Sequence, residues 1–110
     1  MEKQFKQMAS LIGDPVRATI MWNLMDGKAL TATELALMSD TSPQNISMHL
    51  TKLVEGGLLS VENQGRHRYY KYSRKEIAYA IEALTTLLSP STTKENFNNE
   101  NFQAIKYCRT

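Results

Sequence analysis

Cysteine is almost missing from this chain. Cys108 is the only one, so no internal disulfide can form, and a reducing cytoplasm is the expected compartment. No apolar run approaches the roughly 18–20 residues that span a bilayer. The opening MEKQFKQMAS has no apolar stretch ahead of a small-residue cleavage site, so no secretory signal is expected. Glycine and proline are scarce, at five and three, and no glycine-rich phosphate loop is present. There is no Gly-x-Ser-x-Gly elbow, no clustered set of His, Cys and carboxylates, and no carboxylate pair recurring on one helix face. These absences argue against an enzyme. What is present, 110 residues with 42% hydrophobic and 22% charged, suits one soluble domain. It does not suit a disordered, collagen-like or multi-domain chain.

The formal charge of +2 is unevenly spread. Between Pro43 and Lys75 six positive side chains (Lys52, Arg66, Arg68, Lys71, Arg74 and Lys75) face only Glu55 and Glu62. That third of the chain carries +4 and the remainder −2. Such segregation suits a polyanionic partner, with a merely solvated charged surface as the plainer reading.

Spacing and punctuation predict the elements. Residues 3–12 place Phe5, Met8, Leu11 and Ile12 at helical intervals, and Gly13 breaks the pattern. Asp14-Pro15 is a cap followed by the helical position where proline costs least, opening a helix with Val16, Ile20, Trp22, Leu24 and Met25. Gly27 is placed to end it. Thr31-x-x-Glu34 forms a capping box before a short helix with Leu35 and Met38. Ser42-Pro43 opens another helix that Gly56-Gly57 stops. The period then shortens: Leu58–Glu62 and His67–Ser73, rich in Val and Tyr, flank Asn63-Gln64-Gly65-Arg66 and read as a β-hairpin. Ser73-x-x-Glu76 predicts a capping box for a last helix striped by Ile77, Ile81, Leu84 and Leu88, which Ser89-Pro90 ends.

The predicted fold is therefore mainly α with a small β-hairpin: four helices, the hairpin, then a fifth helix, a winged helix-turn-helix. Residues 1–89 form the domain, and 90–110 are a polar linker or tail, asparagine-rich over 91–101, whose more apolar end either packs back on the domain or leads into a longer chain.

The helix from Pro43 has an apolar stripe, Ile46, Leu50, Leu53 and Val54. Its other side offers Gln44, Asn45, Ser47, Met48, Thr51 and Lys52, polar and nearly uncharged. Gln and Asn can pair bidentately with adenine, and hydroxyls serve bases or phosphates, as a helix entering a major groove requires. A helix that only meets water more often carries Glu and Lys. At the hairpin turn Arg66, His67 and Arg68 cluster, suited to phosphates or a narrow minor groove. Tyr70 and Tyr72 share one strand face and read as packing rather than as platforms for single-stranded bases.

These residues resemble the ArsR/SmtB family of bacterial winged-helix regulators over about residues 5–88. The resemblance rests on Gly13-Asp14-Pro15-x-Arg17, Ser47-x-His49-Leu50-x-x-Leu53, Gly57-Leu58-Leu59 and Gly65-Arg66-x-x-Tyr69-Tyr70. It implies a homodimer built from residues 3–12 and 74–88, binding an imperfect inverted repeat in double-stranded DNA, normally as a repressor. DNA contacts are then expected from Ser42, Gln44, Asn45, Ser47, Met48, His49, Thr51 and Lys52 of the helix, and from Arg66, His67 and Arg68 of the wing. Two departures stand out. Met48 replaces a common arginine, exchanging a charged contact for a thymine-methyl one. Ser42-Pro43-Gln44 reverses the usual glutamine-then-proline order, which weakens the case for Gln44.

Many relatives release DNA on binding metal. One family site, a Cys-x-Cys, falls here on Thr31 and Thr33, whose neutral hydroxyls are poor ligands for a soft metal. Another falls on Arg74, Glu76 and a position near Leu87, which is not a zinc site. Dithiol sensing needs a second cysteine. His49 and His67 are expected to hydrogen-bond phosphate or backbone rather than metal. No cofactor is therefore expected, and no residue set names an effector. The alternative function is a winged-helix module that binds protein instead of DNA.

Overall fold

A computed structural model describes residues 1–88, and the expected Ser89-Pro90 stop, the polar tail and Cys108 lie outside the described residues. In chain order come α1 (Glu2–Ile12), α2 (Pro15–Asn23), β1 (Leu30–Thr31), α3 (Ala32–Met38), α4 (Pro43–Glu55), β2 (Leu59–Gln64), β3 (His67–Tyr72) and α5 (Lys75–Thr85), closed by a 3₁₀ turn over Thr86–Leu88. The arrangement is the expected winged helix-turn-helix with one addition. Leu30 and Thr31 pair antiparallel with Tyr70 and Tyr69, so the hairpin is two strands of a three-stranded sheet ordered β1-β3-β2.

Local chemistry sets the helix starts. Asp14 accepts from the backbone N–H of Val16 (2.9 Å) and Arg17 (3.1 Å), and Pro15 follows it. Thr31 and Glu34 close a reciprocal capping box on α3. The Ser42 hydroxyl accepts from the Asn45 N–H at 3.1 Å, with Pro43 at the first helical position of α4. The capping box expected at Ser73 and Glu76 does not form. Arg74 occupies the cap of α5, while the Ser73 hydroxyl donates to the Gly57 carbonyl at 2.6 Å and its N–H donates to Leu58. Leaving the sheet beside the α4–β2 connection, Ser73 is held by these two backbone acceptors instead of capping α5.

The core gathers Ile20, Met21 and Leu24 of the α2 region with Leu35 and Ala36 of α3, Ile46, Leu50 and Leu53 of α4, Leu58, Leu59, Tyr70 and Ile77. On α2 the buried row is Arg17, Ile20, Met21 and Leu24, so Met21 turns inward and Trp22 outward. An arginine therefore holds a core position. α2 also ends at Asn23 rather than running to Gly27, and Asp26 and Gly27 both take positive φ in the connection.

The sheet is fixed to the helices by Tyr72, whose hydroxyl donates to the Met21 carbonyl. Burial pushes that phenol up to about 12. The hairpin closes through two residues only, Gly65 and Arg66, between the paired Gln64 and His67. Gly65 supplies the positive φ of 62° that such a tight turn needs.

α1 and the end of α5 are packed differently. No residue of α1 is buried, and Phe5 is 70% exposed. Along the α5 stripe, burial fades from Ile77, buried, through Ile81, half-buried, to Leu84 and Leu88, both exposed.

Candidate nucleic-acid interface

α4 divides its residues by direction. At about 100° per residue, Gln44, Met48 and Thr51 fall opposite the buried Ile46, Leu50 and Leu53. Gln44, Ser47, Met48, Thr51 and Lys52 are all exposed. Met48 sits at the middle of this outward face, 44% exposed, so its thioether replaces a charge where the face is most prominent. Ser42 contributes its hydroxyl to the helix cap and so is already engaged at the entry to the helix.

Two expected contact residues lie elsewhere. His49 is only 6% exposed, and its ring points away from the outward face to meet Arg17. As a direct DNA contact it is corrected: a ring buried beneath the helix cannot reach a base edge or phosphate in this conformation. Asn45 lies on the flank, half-buried, with Nδ2 donating to the Thr41 hydroxyl at 2.7 Å. That contact engages one side of its carboxamide with the α3–α4 turn, where Asp40 takes φ of 52°.

The wing presents Arg66, His67 and Arg68 on three sides. Arg66 occupies the turn itself and is exposed. Pleating then sends His67 and Arg68 to opposite faces of β3. His67 meets Tyr69 edge-on, with ring centroids 6.2 Å apart, and the Arg68 guanidinium lies over Tyr70 at 5.9 Å. Lys71, farther down the strand, pairs with Glu62 at 3.2 Å, so its charge is already partly answered. The tyrosines serve packing: Tyr70 is buried and Tyr72 is tied to α2.

Arg17 is the residue that sequence reasoning missed. Its guanidinium, 9% exposed, donates from Nε to the Leu11 carbonyl (2.6 Å), from Nη2 to the Ser10 carbonyl (3.4 Å) and from Nη1 to His49 Nδ1 (2.9 Å). The Asp14 carboxylate lies 3.7 Å from the same Nδ1. It is held below the ordinary carboxylate value, foremost by the backbone N–H of Arg17. The signal was present, since Arg17 stands in the buried row of α2 and within the Gly13-to-Arg17 motif, but the motif had no assigned role.

The positions that correspond to metal sites of the resembled ArsR/SmtB family do not fit a metal here. The Thr31 hydroxyl is engaged with Glu34, and Arg74 and Glu76 place opposite charges at the start of α5. Among the described residues no group of three or more His, Cys, Asp or Glu could hold a metal ion. No helix among them is long and apolar enough to cross a membrane.

Comparison with known proteins agrees with this geometry. Residues 12–62, from the end of α1 into β2, match a family described as a helix-turn-helix domain. The uncharacterized HTH-type transcriptional regulator YdfF of Bacillus subtilis is 36% identical over 110 residues, which is 100% of this chain and 49% of YdfF. The chain thus spans about half the length of that curated relative. HlyU from Vibrio cholerae has the same fold, with a TM-score of 0.71 and 24% identity over 78% of this chain and 92% of its own. So does a homodimeric winged helix-turn-helix DNA-binding domain from Mycobacterium bovis, Mb0332, a possible ArsR-family regulator, with a TM-score of 0.71 and 18% identity over 79% of this chain and 80% of its own.

Fold and comparisons agree on the architecture: residues 12–62 match a helix-turn-helix family, and the whole described domain has the winged helix-turn-helix fold of these solved structures.

Proposed function

We propose that the protein is a non-enzymatic repressor that acts in the cytoplasm, binding an inverted-repeat operator in duplex DNA as a homodimer. The observation that carries this is the outward face of α4, where Gln44, Ser47, Met48, Thr51 and Lys52 are exposed on a helix with no acid on that face until Glu55. α4 reads base edges in the major groove, and Arg66, His67 and Arg68 of the wing hold the adjacent backbone. The dimer forms through α1 and the α5 end (residues 3–12 and 74–88), where Phe5, Met8, Leu84, Leu87 and Leu88 stand exposed in the single chain. Two-fold symmetric heads then require half-sites about one helical turn apart.

Arg66→Ala tests the wing. If Arg66 neutralises one phosphate in each protomer, its loss lowers the slope of log affinity against log salt by about 1.8 for the dimer. Affinity for all duplexes falls together, read by fluorescence anisotropy between about 50 and 200 mM salt. An unchanged slope removes the wing from the interface. Binding of a protein partner through an apolar surface, the alternative function, would instead show almost no salt response.

A further inference from the structure

We propose that Arg17 is a positioning residue that locks the DNA-facing helix α4 to the end of α1, and that the lock holds only while His49 is neutral. This rests on the reading that α4 meets DNA and α1 forms the dimer.

The chemistry of the contact assigns the protons. A guanidinium has five N–H donors and no acceptor. At 2.9 Å from Arg17 Nη1, His49 Nδ1 must therefore be the acceptor, which leaves the ring proton on Nε2. The other two arms of the guanidinium hold the Ser10 and Leu11 carbonyls. Those carbonyls belong to the last turn of α1, where helical acceptors lack internal partners and the helix dipole favours a cation. One buried side chain thus clasps two elements: α1, on which the partner subunit would pack, and α4, which would enter the groove. Asp14, the cap of α2, adds a second polar neighbour to His49 at 3.7 Å.

Protonation of Nδ1 would reverse the contact. The ring could no longer accept from Arg17, and two cations would face each other at hydrogen-bond distance. An acceptor stands ready, because Asp14 Oδ2 is 3.7 Å from Nδ1. Acid would therefore transfer His49 from Arg17 to Asp14 and free α4 from α1. Arg17 and Asp14 are the charged groups that face the ring from α2 and its cap. Glu34 of α3 is engaged by Thr31, Glu62 of β2 by Lys71, and Lys52 and Glu55 of α4 itself are exposed. From α1 the Ser10 and Leu11 carbonyls meet Arg17.

The test uses the full chain and two labelled probes: a duplex that the wild-type protein selects from a random pool, and a scrambled duplex of the same composition. His49→Asn keeps an acceptor near the Nδ1 position without a titrating ring, and His49→Leu removes the acceptor at similar bulk. Wild type should lose about tenfold or more of its affinity for the selected duplex on going from about pH 8 to acid that protonates the ring. His49→Asn should change less than about threefold over that range and match wild type at the higher pH, and His49→Leu should be about tenfold weak at both. Scrambled-duplex affinity should hold in acid, so a general loss of folding would move it the wrong way. Circular dichroism melts accompany each variant.

Matching pH profiles for wild type and His49→Asn would overturn the switch. A folded His49→Leu with wild-type affinity would overturn the positioning role. If His49→Leu proves unfolded, the comparison of wild type with His49→Asn still decides. The underlying reading fails separately: Ser47→Glu, on the outward face, would then leave selected-duplex binding unchanged.

Discussion

Phe5→Ala should split the proposed dimer while leaving the protomer folded. Phe5 lies on α1, a helix with no buried residue, and is 70% exposed. Its contribution inside the single chain is accordingly small. Fully burying a phenylalanine side chain contributes about 1.5–3 kcal/mol, so covering the exposed part at a subunit interface is worth about 1–2 kcal/mol. A two-fold interface loses that twice, about 2–4 kcal/mol in all, which weakens the dimer about 30- to 900-fold. Sedimentation equilibrium over a range of protein concentrations measures the change directly. Leu37 is the control, because it is 79% exposed but lies on α3, outside the proposed interface. Leu37→Ala should leave self-association as it was. Equal self-association of wild type and Phe5→Ala would refute the argument, since an exposed aromatic at the centre of an interface cannot be removed at no cost. A loss with Leu37→Ala and none with Phe5→Ala would move the dimer contact to the helix-turn-helix.

Tyr72→Phe should cost about 0.5–1.5 kcal/mol of folding stability near neutral pH, by urea denaturation, because it leaves the Met21 carbonyl without its donor. The phenol is pushed up to about 12 from an unfolded value of about 10, so wild type should lose stability as pH rises from about 10 through 12, and the variant should lack that loss. Met48→Arg, at the centre of the outward face of α4, should add one phosphate contact per protomer and steepen the salt slope of the dimer by about 1.8, with the larger gain on unselected duplexes.

The parts of the fold that were legible in sequence are those set by a few neighbouring residues. Asp14-Pro15, Thr31-x-x-Glu34 and Ser42-Pro43 each announce a helix start because cap, proline and helix lie within one turn. What stayed hidden depends on distant partners. β1 is two residues long, too short to show a period, and exists because Tyr69 and Tyr70 offer it a ladder some forty residues away. Ser73 has a good capping pattern, yet its hydroxyl is taken by Gly57 across the fold. Trp22 and Met21 are both apolar neighbours, and only the crossing of α2 over the core decides that Met21 enters. The candidate site divides along the same line. The outward residues of α4 follow from helical spacing, whereas His49 has a motif that suggests contact with DNA and a location that makes it internal.

That location explains how α4 can hold a reading face steady. Its apolar row, Ile46, Leu50 and Leu53, supplies the burial that keeps the helix in place. Apolar contact is non-directional, though, and a helix seated only on such a row can roll or slide slightly at little cost. Hydrogen bonds are directional, and α4 has one at each of two points on its flank. Asn45 meets Thr41 at the first turn, and His49 meets Arg17 one turn later. Two directional contacts a turn apart on one side of a rod fix its rotation about its own axis. If α4 enters a groove as proposed, rotation decides whether Gln44, Met48 and Thr51 meet base edges or the groove wall. Burying an arginine and a histidine has a desolvation cost that apolar residues of similar size would avoid. In this domain that cost secures an angle that hydrophobic packing leaves loose.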